Sequence, residues 1–446
     1  MSDQTFSEFP YEVIAARLES FRQECLAEDS HQGRAWHFTD GPRSPAQVGS
    51  RVFEVPGQSP RIHIIDQYHG RTPTLINRTT LTRGPNVQIG LKQYLLFDSN
   101  AVAYLDEFFS GRGDETRRTV VGCFLKYAIS GSFEFSAVFY LIESLVRADP
   151  DRWLPYAKQL MSTVYSLQTV DRQLFLQTGV LASSLQARAD VLAVHGVAAA
   201  DDLIQRYISA IGRETALKEA DAVDVSYAAL LKIGLLGASR QPVEAKIDAF
   251  ADFLVNRLGT VLGLERFLAM LHWSAPERYA RLIPPLGRGT NVNTFAKKVR
   301  ATAWDLRLAR LPEQFGRFIP KAEPNAEAVC GLYYVVTAED RLAELMQQRT
   351  VELLIQQPDP NRSIIVAGNH SALLQEVLGP EVVSALSHKT AQWERDLMTM
   401  KDRRPPIVGS ELRKLITELE TEVARISGGL LRSNPAIQAD AKGSRG

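Results

Sequence analysis

Four acidic positions stand where side chains of their type do chemistry. Asp98, in LLFDSNAVAYL, follows the wholly apolar run Tyr94–Phe97, which suits a strand buried on both faces. Helical periodicity begins near Ala101, so Asp98 falls at the carboxyl end of a strand, where open α/β sheets gather ligand sites, with Asn100 two positions on. Asp, Ser and Asn are also preferred helix caps, so the same residues admit a structural reading. Glu143, in FSAVFYLIESLV, has Phe139, Tyr140, Val146 and Arg147 as helical neighbours. A carboxylate on so apolar a helix is held for a cation or a paired base, or else edges the stripe and bridges to Arg147. Asp305, in KKVRATAWDLRLARL, shares its helix side with Ala301, Thr302, Leu308 and Ala309, while Arg300, Arg307 and Arg310 lie opposite. A solvated salt-bridge acid belongs among those arginines; Lys298 is the base nearest the Asp305 side. The fourth position follows the run Leu332–Val336 in VVTAEDRLAEL, where Glu339 or Asp340 is the candidate acid, although Thr337 with Asp340 also reads as a capping box.

Several carboxylates in one pocket suit one or two hard divalent ions, which activate a water and stabilise the leaving oxygen of a phosphodiester. In order and register, LLFDSNAV, FYLIESL, TAWDLRL and YYVVTAEDRL resemble the acidic motifs of PIN-like domains, which are Mg²⁺/Mn²⁺-dependent nucleases on a small parallel-sheet α/β fold. The resemblance covers about residues 93–147 and 293–367. It implies metal-ligand roles for Asp98, Glu143 and Asp305, a supporting role for Asn100, and RNA rather than DNA as the substrate. It departs from the family at the Thr-x-Asp spacing, which falls on Glu339 instead of Asp340, and in the length of chain between Glu143 and Asp305.

Other chemistries lack their motifs. SGRGDET and PLGRGTN carry neither the GKS/GKT of a P-loop nor a dinucleotide fingerprint, and no GxSxG occurs. His63 and His69 are not at the i,i+4 spacing of a helical metal pair, and His370 is expected in a turn after SIIVAGN. The three cysteines, Cys25, Cys123 and Cys330, are too few and too scattered for a disulfide framework or a CxxC zinc site.

These residues need strands and helices to hold them. β-type texture marks Ile62–Ile65, Tyr94–Phe97, Gly331–Val336 and Ser363–Val366, while Thr39–Pro60 reads as loop. Helical periodicity covers residues 1–30, Ala101–Phe109, Val120–Ile129, Ser136–Arg147, a long stretch from Trp153 to Leu282, Thr294–Leu311, Glu381–Met400 and Ser410–Ile426. The expected architecture is therefore α/β: a PIN-like small parallel sheet flanked by helices, with a large all-α insertion and a C-terminal helical extension. Its parts are an N-terminal extension with short strands (1–90), a core in two pieces (91–150 and 291–370), the helical insertion (151–290), the C-terminal extension (371–427) and a disordered tail (428–446).

Lysine plus arginine and aspartate plus glutamate both total 51 in 446 residues, which excludes a polybasic coat or an acidic disordered chain. Any nucleic-acid surface must be local. Candidates are the eight lysines and arginines between Arg288 and Lys321, and Arg112, Arg117 and Arg118 after the first core helix. With no signal-like start, a cytoplasmic protein without membrane contact is expected. A helical surface for a protein partner or self-association, on a non-catalytic version of the fold, is the competing expectation; a mainly α-helical adaptor is the third.

Overall fold

The computed structural model describes residues 5–7, 11–27, 33–39, 48–84, 89–131, 133–136, 138–147, 150–211, 213–260, 262–316, 328–358, 364–370, 372–384 and 407–428. Most of the predicted helix Glu381–Met400, most of the loop after it and nearly all of the predicted tail lie outside the described residues.

The strands are β1 (Thr5–Ser7), β2 (Arg34–Thr39), β3 (Arg51–Phe53), β4 (Ile62–Ile65), β5 (Thr72–Ile76), β6 (Ile89–Phe97), β7 (Glu134–Ser136), β8 (Ala328–Thr337), β9 (Arg349–Gln356) and β10 (Ile364–His370). Helices preceding the long helical stretch are α1 (Tyr11–Ala27), α2 (Arg78–Arg83), α3 (Ser99–Phe109), α4 (Glu115–Ser130) and α5 (Val138–Arg147). That stretch contains α6 (Pro150–Gln168), α7 (Arg172–Thr178), α8 (Leu185–His195), α9 (Ala200–Ile211), α10 (Arg213–Gly237), α11 (Val243–Asp252) and α12 (Gly263–Ser274). After it come α13 (Val292–Ala309), α14 (Leu311–Gly316), α15 (Asp340–Met346), α16 (Ala372–Leu378) and a C-terminal helix, Gly409–Ser427. No described helix is long and apolar enough to cross a membrane.

The chain forms two compact units, residues 1–220 with 308–373, and residues 221–307 with 374–446. The boundary divides the predicted insertion 151–290, so its first helices belong to the unit that holds the sheets.

The first unit contains two five-stranded sheets. One, in the order β3-β4-β8-β6-β7, is mixed: β8, β6 and β7 are parallel, whereas β4 is antiparallel to β8 and β3 to β4. β8 is buried along its whole length, as its position between two neighbours and its run AVCGLYYVVT require. The other sheet, β1-β10-β9-β2-β5, is antiparallel throughout. Several expectations are corrected here. The N-terminal 90 residues are no extension, because β4 completes the sheet of Asp98, and β2 and β5 build the second sheet. Part of the expected loop Thr39–Pro60 is β3. Ile364–Val366 begins a strand of the antiparallel sheet, and His370 ends that strand opposite Thr5 instead of lying in a turn.

A buried turn ties the two sheets. Asp66, at the end of β4, accepts the Tyr68 N–H at Oδ1 and the Gly70 N–H at Oδ2, each at 2.8 Å. His69 and Gly70 take left-handed backbone angles (φ 52° and 69°) to close this turn. The turn then offers the Gln67 carbonyl to the Val351 N–H of β9 at 2.8 Å. The ring of Tyr68 lies 4.7 Å from Phe38 of β2 and 6.3 Å from Tyr334 of β8, filling the space between.

The second unit is helical. Gly234 on α10 faces the Phe295 ring of α13 so closely that a β-carbon would sit 2.7 Å from it, which explains glycine inside a helix. The C-terminal helix buries Leu412, Leu415, Ile416, Leu419 and Val423, and Glu420 accepts the Tyr227 hydroxyl at 2.8 Å. Its apolar repeat serves docking on this unit.

Candidate functional site

β6 delivers Asp98 to the site. Its backbone N–H continues the parallel ladder to the Val336 carbonyl at 3.0 Å, and its carboxylate caps α3 by accepting the Ala101 N–H at 2.5 Å. The second carboxylate oxygen accepts the hydroxyl of Thr337, the last residue of β8, also at 2.5 Å. Thr337 Oγ1 in turn accepts the Glu339 N–H at 3.1 Å. The expected capping box is therefore not formed: the threonine serves Asp98, and Glu339 occupies the cap position of α15 without a side-chain cap bond. Burial pushes the Asp98 carboxyl up to about 6, opposed by hydrogen bonds from Thr337, Ala101 and Ala338 and reinforced by the charge of Glu143.

That last effect brings two of the predicted acids together. Glu143 is buried on α5 beside buried Tyr140, Leu141 and Ile142, and its charge reaches Asp98. The side chain of Arg147, the alternative partner for Glu143, lies outside the described residues. Glu339 joins from α15: its charge and that of Asp98 both act on the Tyr104 hydroxyl, whose pKa burial raises first. Glu339 Oε1 is buried with no hydrogen-bond partner among the described residues. A buried oxygen with no donor is costly, and such an atom calls for a cation or a proton donor.

Asp340 turns elsewhere. Its carboxylate is 2.8 Å from His63 Nε2 and 3.7 Å from Arg61 Nη1. Between the two candidates for the fourth acid, Glu339 is the one whose charge falls where that of Asp98 does. Asn100 is exposed on the first turn of α3. Asp305 is half-buried on α13 between buried Trp304 and Leu306, and Lys298 is exposed on the same helix; both belong to the second unit. Arg300, on the opposite side of α13 as expected, pairs with Asp224 at 2.6 Å and stacks 4.0 Å above the Tyr227 ring. Of the predicted basic stretch, Arg317 and Lys321 lie outside the described residues.

Sequence reasoning misses Tyr104; it gives Arg117 as one of three basic residues after the first core helix and His63 as a histidine outside any metal pair, and places neither beside the acids. Arg117 lies 4.6 Å above the Tyr104 ring and bonds Glu107, so α4 and α3 meet beside the acids. Arg117 stands three residues after the α4 cap Asp114, which places it in the first turn.

Among the described residues, no group of three or more His, Cys, Asp or Glu side chains is close enough to share a metal ion. Mg²⁺ usually takes one or two carboxylates, several waters and substrate phosphates. Asp98 with Glu143 or Glu339 suits that mode in donor chemistry, and the Glu339 oxygen without a partner fits it. Comparison of the chain with protein-family models, with curated proteins and with solved structures returns no match, so the site is read from its own geometry.

Proposed function

We propose that this protein is a metal-dependent nuclease that hydrolyses phosphodiester bonds at the carboxyl ends of β8 and β6. The observation that carries the reading is the buried Asp98 carboxylate, joined through Thr337 to Glu339, whose buried Oε1 has no hydrogen-bond partner among the described residues. Folding brings like charges together in a low-dielectric interior at a cost, and a divalent cation is the partner that removes it. Asp98 with either Glu143 or Glu339, together with water and substrate phosphate oxygens, would hold Mg²⁺ or Mn²⁺. When bound, such a cation supplies the electrophilic chemistry of phosphodiester hydrolysis. The chain's own residues prepare the place: Thr337 and the Ala101 N–H orient Asp98, and β8 and β6 exclude water from its inner side. Asp98 is ionised and competent above about pH 6. A PIN-like fold and a preference for RNA over DNA follow from the motif resemblance, as analogy.

The test is Mn²⁺-dependent cleavage of labelled single-stranded RNA and DNA by wild type and Asp98→Asn. Cleavage by wild type and none by the variant supports the reading; equal cleavage by both, or none by either with intact folding, removes it.

One observation favours a non-catalytic interaction protein instead. Leu176, Val180 and Leu185, at the α7–α8 connection, are 48%, 54% and 82% exposed. Apolar side chains so placed suit contact with another protein. Under that reading Asp98 is a helix cap, and Asp98→Asn leaves function intact because Asn caps equally well.

A further inference from the structure

We propose that Arg61 and Arg117 form a two-sided phosphate clamp that holds a nucleic-acid backbone across the Asp98–Glu339 site; the proposal rests on the hydrolytic reading above. The two arginines are linked through the acids themselves. Arg61, just before β4, lies 3.7 Å from Asp340, and Asp340 follows Glu339 in the chain. On the other side, the charge of Glu339 reaches the Tyr104 hydroxyl, and Arg117 covers the Tyr104 ring at 4.6 Å. These links run from Arg61 through Asp340, Glu339 and Tyr104 to Arg117. The loop between β3 and β4 closes the arc, since Gln58 accepts the Thr116 hydroxyl at 2.5 Å, one residue before Arg117.

Both guanidiniums can change partners. The Arg61 side chain is 42% exposed and that of Arg117 29%, and their carboxylate partners Glu54 and Glu107 are exposed to a similar degree. Exposed ion pairs are weak, and a phosphate offers the same planar fork a bidentate site of higher charge. Arg117 also holds its Nε without an acceptor among the described residues. Two other arginines of this unit show the contrast. Arg349 is 3% exposed on its bond to Glu313 and is fixed in the interior. Arg112 folds back on its own loop through Ser110 and Asp106, both at 2.7 Å.

Electrostatics requires such a device. An acidic pocket repels a polyanion, and guanidiniums on each side supply the attraction while leaving the carboxylates to the cation. The aromatic face of Tyr104 holds the plane of Arg117, which restricts its rotamers before a ligand arrives.

The experiment measures binding without cleavage, by fluorescence anisotropy of a labelled single-stranded RNA, and of DNA of the same sequence, on the full-length Asp98→Asn protein in Mn²⁺ across a salt series. In that background Arg61→Ala and Arg117→Ala are each expected to weaken binding about fivefold or more. Each should flatten the slope of log K against log salt by about 0.7, the value for one phosphate contact on a single strand. Arg117→Lys should restore the slope without the full affinity, since lysine keeps the charge and loses the fork. Arg188→Ala, an exposed arginine on α8, should change neither, and thermal melts confirm that each variant folds. Unchanged affinity and slope in both alanine variants overturn the clamp, as does a parent that binds neither nucleic acid. Loss in only one of the two overturns its two-sided form. Binding that depends on both arginines, with no cleavage by wild type, removes the hydrolytic reading and leaves the clamp standing.

Discussion

Asp66 and Asp98 make an instructive pair. Both follow the last residue of a strand in the same sheet, both are nearly inaccessible (1% and 4% exposed), and burial raises both carboxyls. Each also has three donors: the N–H groups of Tyr68, Gly70 and Gly49 for Asp66, and those of Ala101 and Ala338 with the Thr337 hydroxyl for Asp98. The number of hydrogen bonds therefore does not separate them. The nearby charge does: Asp66 feels His69, which favours its ionised form, whereas Asp98 feels Glu143, which opposes it. An acid enclosed by its own turn holds two sheets together. An acid set against another acid is held at a cost, as functional groups are.

The largest way to break this comparison is to remove the enclosed acid. Asp66→Ala leaves three buried N–H groups without acceptors, so a loss of about 4 kcal/mol in urea unfolding is expected, with cleavage falling only as folded protein is lost. Asp98→Asn should do the reverse in activity, lowering Mn²⁺-dependent cleavage by about 100-fold or more, as for a residue that holds a metal, while the circular-dichroism spectrum is unchanged.

Stability sharpens the contrast further. The folded Asp98 carboxyl is raised from 3.8 to about 6, so the native state binds more protons than the unfolded chain between those values. The cost of ionised Asp98 is thus full above about pH 6, declines as pH falls through 6 and vanishes below about 3.8. The stability of wild type relative to Asp98→Asn should therefore rise by about 2–3 kcal/mol between pH 7 and pH 4, measured by chemical denaturation at each pH. At limiting Mn²⁺, where the free carboxyl must ionise before the cation binds, wild-type cleavage should fall as pH drops below the same midpoint of about 6. The smallest effect is on that midpoint. Glu143→Gln removes the like charge, and the Asp98 carboxyl, followed by its carbon chemical shift, should titrate below the wild-type value.

How much of this was legible depends on the range of the interactions involved. The run Tyr94–Phe97 and the helix after it were readable because strand burial and helix capping act over a few residues, and the structure caps α3 with Asp98. The C-terminal helix was readable too, its bounds Gly409–Ser427 lying within a residue of those predicted from its apolar repeat. β2 and β9 were not. RAWHFT and RTVELLIQ become strands by pairing with each other across the chain, and Trp36 reaches Gln356 Oε1 at 2.9 Å over 320 positions. Strand preference is a preference for such surroundings more than for a local conformation. β7, three residues long, is too short to show a pattern.

The same division applies to the site. Sequence by itself determined that Asp98 ends a buried strand and begins a helix, and that Glu143 lies on an apolar helix face, because spacing of 2 or 3.6 residues dictates which side is buried. Only the tertiary structure decided that Thr337 completes the shell of Asp98 from 239 positions away, that the charge of Glu339 and not of Asp340 falls where that of Asp98 does, and that Arg61 stands beside Asp340 and Arg117 over Tyr104. Those relations depend on which strands become neighbours and in what register, a choice made by burial of the whole chain and written in no single segment.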